Sequence, residues 1–135
     1  MLRLHALSIG FLLPFALQAA AVDLNDISTR YEDCIRTNPQ KLSAAAVCAE
    51  GASESAKKEM NRIYQRLYLK LQQTSQEDAQ QLENAQKAWL IYRNEHCDML
   101  GKYDGSPMYT ICPMKLNIDR VAELQLLLDS GDQGF

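Results

Sequence analysis

Six residues, Leu82, Gln86, Trp89, Arg93, Cys97 and Leu100, follow one another at intervals of three or four. At about 100° per residue they fall in one narrow stripe of a helix. The stripe holds the chain's single Trp, yet it is not apolar throughout. It carries an amide, a guanidinium and a thiol, and buried polar groups need partners. Such a helix must dock in one orientation against specific neighbours.

A second apolar face lies just upstream. Met60, Ile63, Tyr64, Leu67, Tyr68 and Leu71 are spaced 3-1-3-1-3, which predicts an amphipathic helix. Ser53 or Ser55 is placed to cap it. Thr74-x-x-Glu77 reads as a capping box for the next helix, from about Ser75 to Leu100. So short a link predicts an antiparallel hairpin.

Before this hairpin, Leu24, Ile27, Tyr31 and Ile35 predict a helix over 23–37, broken by Asn38-Pro39. Lys41 to Ala49 reads as a short Ala-rich helix ended by Gly51. After the hairpin, Gly101, Gly105 and Pro107 predict a loop from Gly101 to Ile111. Pro113 suits the first turn of a last helix, with Leu116, Arg120, Val121, Leu124, Leu127 and Leu128 on its apolar side. Ser130 to Phe135 reads as a frayed tail. No segment has strand periodicity, and there is no internal repeat. The chain is expected to be an all-α bundle of about four to five helices.

The first residues read as a secretory signal. Arg3 and His5 precede an apolar run from Ala6 to Leu17, and Ala19-x-Ala21 suits cleavage before Val22. The run is shorter than the roughly 20 residues a membrane span needs. No Cys near the cleavage site suggests a lipid anchor. The domains are therefore read as 1–21, signal peptide, and 22–135, a helical domain with its core at about 31–128. The protein would be periplasmic or secreted. The second part holds 13 basic and 17 acidic residues, a net charge of −4. That balance does not suggest nucleic acid and is compatible with a basic partner.

Cys34, Cys48, Cys97 and Cys112 all lie after residue 21. An even count in a small exported domain argues for two disulfides. Of three possible pairings, Cys34–Cys48 with Cys97–Cys112 is favoured because each closes a short local loop. The crossed pairings stay open on sequence alone. No Cys-x-x-Cys is present and His96 is the only His of the second part, so no metal or other cofactor is expected.

The order of these features resembles the lysozyme inhibitor LprI family. The resemblance runs from Tyr31–Cys34 and Cys48 through Met60-Asn61-x-x-Tyr64 with Leu67. It continues in Leu82-x-x-Ala85-Gln86-x-x-Trp89-Leu90-x-Tyr92-Arg93-x-x-x-Cys97, and ends with Cys112 and Arg120-x-x-x-Leu124. Met60-Asn61 stands where the family has a Leu-Asp pair, and the Cys97–Cys112 segment is this chain's own. The resemblance implies a small exported lysozyme inhibitor that acts by covering the muramidase cleft.

Trp89 is expected as a core anchor, with Arg93 stacked on it or paired with a carboxylate of another helix. Gln86 is expected to cap a backbone group of the N-terminal hairpin. The loop is the candidate contact surface, through Lys102, Tyr103, Asp104, Ser106, Met108 and Tyr109. Lys102 or Ser106 could reach the carboxylate pair of a glycosidase. Lys58, Arg62, Arg66 and Lys70 form a basic ridge at i, i+4 spacing. A solvated helix face is the plain reading. A non-enzymatic envelope adaptor that binds an anionic component is the other. No Ser-His-Asp order or Gly-rich phosphate loop supports an enzyme.

Overall fold

The structure, a computed structural model, describes residues 24–39 and 42–132. The expected signal segment, the expected cleavage site before Val22 and the last three residues of the tail lie outside them. Among the described residues four helices are present: α1 (Leu24–Thr37), α2 (Leu42–Thr74), α3 (Gln76–Asp104) and α4 (Met108–Asp132). The described residues contain no strand.

Side chains that meet across helices fix the topology. Cys34 of α1 is bonded to Cys48 of α2, with Cα atoms 5.8 Å apart. Cys97 of α3 is bonded to Cys112 of α4, with Cα atoms 5.5 Å apart. Gln86 meets Met60 of α2 and Arg120 of α4. One turn or two further along α3, Arg93 meets Asn117, which in turn meets Ser53. As α3 advances, its partners on α2 and α4 run backwards. It is therefore antiparallel to both, and α2 and α4 run parallel.

The core is built around α2. Ala49, Ala52, Ala56, Met60, Ile63 and Leu67 are buried along its length. They meet Ile27 of α1, Leu82 of α3, and Met114, Val121, Leu124 and Leu128 of α4. The alanines leave room for α1 and α4 to approach α2 closely. Trp89, Tyr64, Tyr68 and Leu71 pack against this cluster with part of their surface exposed.

The structure corrects several expected boundaries. Lys41–Ala49 is not a separate helix ended by Gly51, since α2 is continuous from Leu42 to Thr74. Glycine inside a helix costs about 1 kcal/mol, but the flanking Cys48, Ala49, Ala52 and Ala56 form one buried stripe. Their burial and the disulfide outweigh that local cost. Ser53 and Ser55 are consequently not caps. Ser53 is buried against Asn117, and Ser55 donates to the Gly51 carbonyl at 3.1 Å.

The cap of α3 is Ser75, whose hydroxyl accepts from the Asp78 amide at 3.2 Å. It is one residue later than the Thr74-x-x-Glu77 box. Thr74 belongs to α2 and donates back to the Lys70 and Leu71 carbonyls.

The expected loop Gly101–Ile111 contracts to Gly105-Ser106-Pro107. Gly105 stops α3 at φ +105°, a conformation L side chains rarely adopt. The Pro107 carbonyl accepts from Thr110 and Ile111 as α4 begins. Pro107, not Pro113, thus stands at the helix start. Pro113 lies inside α4, between Cys112, pinned by its disulfide, and buried Met114. The tail is helical through Asp132, and Ser130 donates to the Leu126 carbonyl at 2.8 Å. The buried side of α4 is Cys112, Met114, Asn117, Val121, Leu124 and Leu128, while Leu127 faces outward.

Candidate functional site

Two polar rungs cross the bundle on either side of Trp89. In the first, the Gln86 amide donates to the Met60 sulfur at 3.5 Å. Its oxygen accepts from Arg120 Nε at 3.0 Å, and Arg120 also holds Glu123 at 2.6 Å. In the second, Asn117 donates to the Ser53 hydroxyl at 2.9 Å. Its oxygen accepts from Arg93 at 2.8 Å. The guanidinium carbons of Arg93 and Arg120 lie 5.4 and 5.6 Å from the Trp89 ring centroid. Both are within cation–π range.

Gln86 therefore does not cap the N-terminal hairpin; its partners are side chains of α2 and α4. Arg93 stacks on Trp89, but its partner on another helix is an amide, not a carboxylate. Its remaining nitrogens donate to Asn94. Burial without a facing carboxylate lowers the pKa of Arg93 from its ordinary value. Among the described residues no buried side-chain nitrogen or oxygen is left unpaired. A satisfied interior like this fixes how the helices are oriented.

The α3–α4 tip has the opposite character. The Cys97–Cys112 bond closes it, and Gly101 lets the Tyr109 ring lie flat on the helix. A Cβ at position 101 would overlap that ring. Beyond this clasp Tyr103 is 83% exposed, and Asp104 and Ser106 are exposed. Met108 is half-buried. Lys102 is not a free cation. It pairs with Asp98 one turn back, and that hydrogen bond raises its pKa.

The tip continues along α3 into a surface outside the loop expected from the sequence. Tyr92, His96, Met99 and Tyr103 stand at i, i+4, i+7 and i+11, on a flank of α3 about 110° round from the Gln86–Arg93–Cys97 stripe. Tyr92 and His96 stack with centroids 5.3 Å apart. Tyr92, Met99 and neighbouring Ile91 are exposed. Glu95, Asp98 and Asp104 flank them, with Lys102 the one base among these residues. The signal was present in the sequence as large apolar residues lying off the buried stripe.

The basic ridge lies on α2. Lys58 and Arg66 are exposed. Arg62 donates to buried Glu59 from Nε at 2.9 Å, and that bond raises its pKa.

These features define a class: a small, disulfide-stapled, all-helical domain with a satisfied interior and its distinctive side chains displayed outward. Among the described residues no group of three His, Cys, Asp or Glu could hold a metal ion. No helix there is long and apolar enough to cross a membrane. Residues 34–124 match the family model described as lysozyme inhibitor LprI, and the chain belongs to that family. The family is one of inhibitors rather than catalysts. No curated protein and no solved structure matches the chain.

Proposed function

We propose that the protein is an exported inhibitor of a basic muramidase, acting by steric occlusion of the active-site cleft. Residues 1–21 would be removed at export, and 22–135 would act in the periplasm or outside the cell. The contact surface would be the α3–α4 tip, through Tyr103, Asp104, Ser106 and Tyr109, extended along α3 by Met99 and Tyr92. Lys102 would contribute only after exchanging Asp98 for a carboxylate of the enzyme.

The observation that carries this reading is Tyr103, an aromatic ring almost wholly exposed on a disulfide-closed tip. A large apolar side chain held in water is compatible with a partner that covers it. Because the Cys97–Cys112 bond orders the backbone beforehand, little conformational entropy is lost on binding. The acidic flank of Glu95, Asp98 and Asp104 would favour encounter with a basic enzyme. The family match supports lysozyme as the target class.

The test is the rate at which lysozyme clears a suspension of bacterial cell walls. Excess protein is expected to slow clearing for at least one lysozyme type, in a dose-dependent way. No slowing across chicken-, goose- and invertebrate-type enzymes would overturn the proposal.

A further inference from the structure

The outward face of α2 is unlike the rest of the molecule. From Lys57 to Thr74 the helix carries five bases, Lys57, Lys58, Arg62, Arg66 and Lys70, and a single acid, Glu59. Glu59 is 5% exposed and is turned inward to hold Arg62. The acid on this stretch is therefore withdrawn from the surface while Lys58 and Arg66 remain outside. The row from Lys58 to Lys70 spans about 18 Å at 1.5 Å per residue. α3 has the opposite balance, with six acids and three bases between Gln76 and Asp104. Glu50 and Glu54 precede the basic stretch on α2, so the basic character belongs to the second half of that helix.

One large apolar side chain shares the basic face. Leu69 is 57% exposed. At about 100° per residue its azimuth falls between those of Lys58 and Arg62. A polysaccharide would use the cations and leave Leu69 idle. A phospholipid surface uses both, because bases pair with headgroup phosphates while short apolar side chains enter the interface.

We infer that this face of α2 docks on the surface of an anionic phospholipid membrane through Lys58, Arg62, Arg66 and Leu69. Docked in this way, the protein lies along the membrane with its α2 face down. The surface is separate from the α3–α4 tip, so the inference does not depend on muramidase inhibition.

The experiment is co-sedimentation of the exported protein with vesicles of phosphatidylglycerol and phosphatidylcholine, compared with phosphatidylcholine alone. Binding is expected only to the anionic vesicles and is expected to fall at high salt. Each base near such a surface is worth about fivefold in partitioning. Lys58→Glu with Arg66→Glu should weaken binding by at least about 25-fold. Both positions are exposed and leave the Arg62–Glu59 pair intact, so the melting temperature and any lysozyme inhibition should not change. Indifference of the parent protein to anionic vesicles, or equal binding by the double variant, would overturn the inference. Leu69→Ser should weaken vesicle binding several-fold. Unchanged binding by that variant, together with displacement by a soluble anionic polysaccharide, would assign the face to a glycan and overturn the lipid.

Discussion

Gly51 and Gly101 both sit inside long helices, yet they are there for opposite reasons. A Cβ at Gly51 meets nothing within 4 Å, whereas one at Gly101 would overlap the Tyr109 ring. Gly51→Ala should therefore stabilise the protein by about 0.5–1 kcal/mol through helix propensity. Gly101→Ala should lower the melting temperature despite the same local gain, because the Tyr109 ring has to move. Adding Tyr109→Ala to Gly101→Ala should recover part of the loss, and thermal melts of the four proteins measure that coupling. The interior polar residues differ in how far the sequence discloses them. Gln86, Trp89 and Arg93 are legible because unlike groups share one stripe. Asn117 is not, because a single Asn between Leu116 and Ile118 carries no periodic signal. It is nonetheless 0% exposed and links α2 to α3 through Ser53 and Arg93. The partners of Gln86 were equally hidden, since Met60 and Arg120 are 26 and 34 positions away.

At the scale of elements, periodic faces were legible and boundaries were not. The apolar series from Met60 to Leu71 and the stripe from Leu82 to Leu100 both lie on helices. Gly51 and Pro113 mislead because each reports a local cost, while the continuity of α2 and α4 is set by burial against other helices. The α3–α4 turn was overestimated for the same reason: Gly101 serves the Tyr109 ring, and only Gly105 ends a helix. α1 shows the reverse dependence. At 14 residues it is marginal as an isolated helix, and it reaches the bundle through Ile27, Tyr31 and the bond from Cys34 to Cys48. That loop is worth on the order of 3 kcal/mol in the chain-entropy model. Replacing Cys34 and Cys48 with Ser should cost about that much. Amide exchange should accelerate first in α1 and the first turns of α2, while α3 and α4 keep their protection. Uniform acceleration across all four helices would show that α1 is integral to a single cooperative unit.

The whole molecule divides its labour by face. α2 carries the core on one side and the bases on the other. α3 carries the two polar rungs inward, and Tyr92, Met99 and Tyr103 outward among acids. If the outward face of α3 is the inhibitory surface, its energy should be concentrated in a few aromatic and apolar anchors, as in other interfaces. Tyr103→Ala should then weaken inhibition by about 10- to 100-fold, or roughly 1.4–2.8 kcal/mol of binding. Met99→Ser should weaken it less. Neither change should lower the melting temperature, because both side chains are exposed. Reversing Asp98 or Asp104 to Lys should act differently, mainly by slowing association and flattening its salt dependence. Surface plasmon resonance on an immobilised lysozyme separates the two effects. A faster dissociation rate for Tyr103→Ala with an unchanged association rate identifies the ring as an anchor. Equal binding by Tyr103→Ala and the parent would move the contact away from the α3–α4 tip. In that case inhibition would have to be sought on another face of the bundle, with the family membership unaffected.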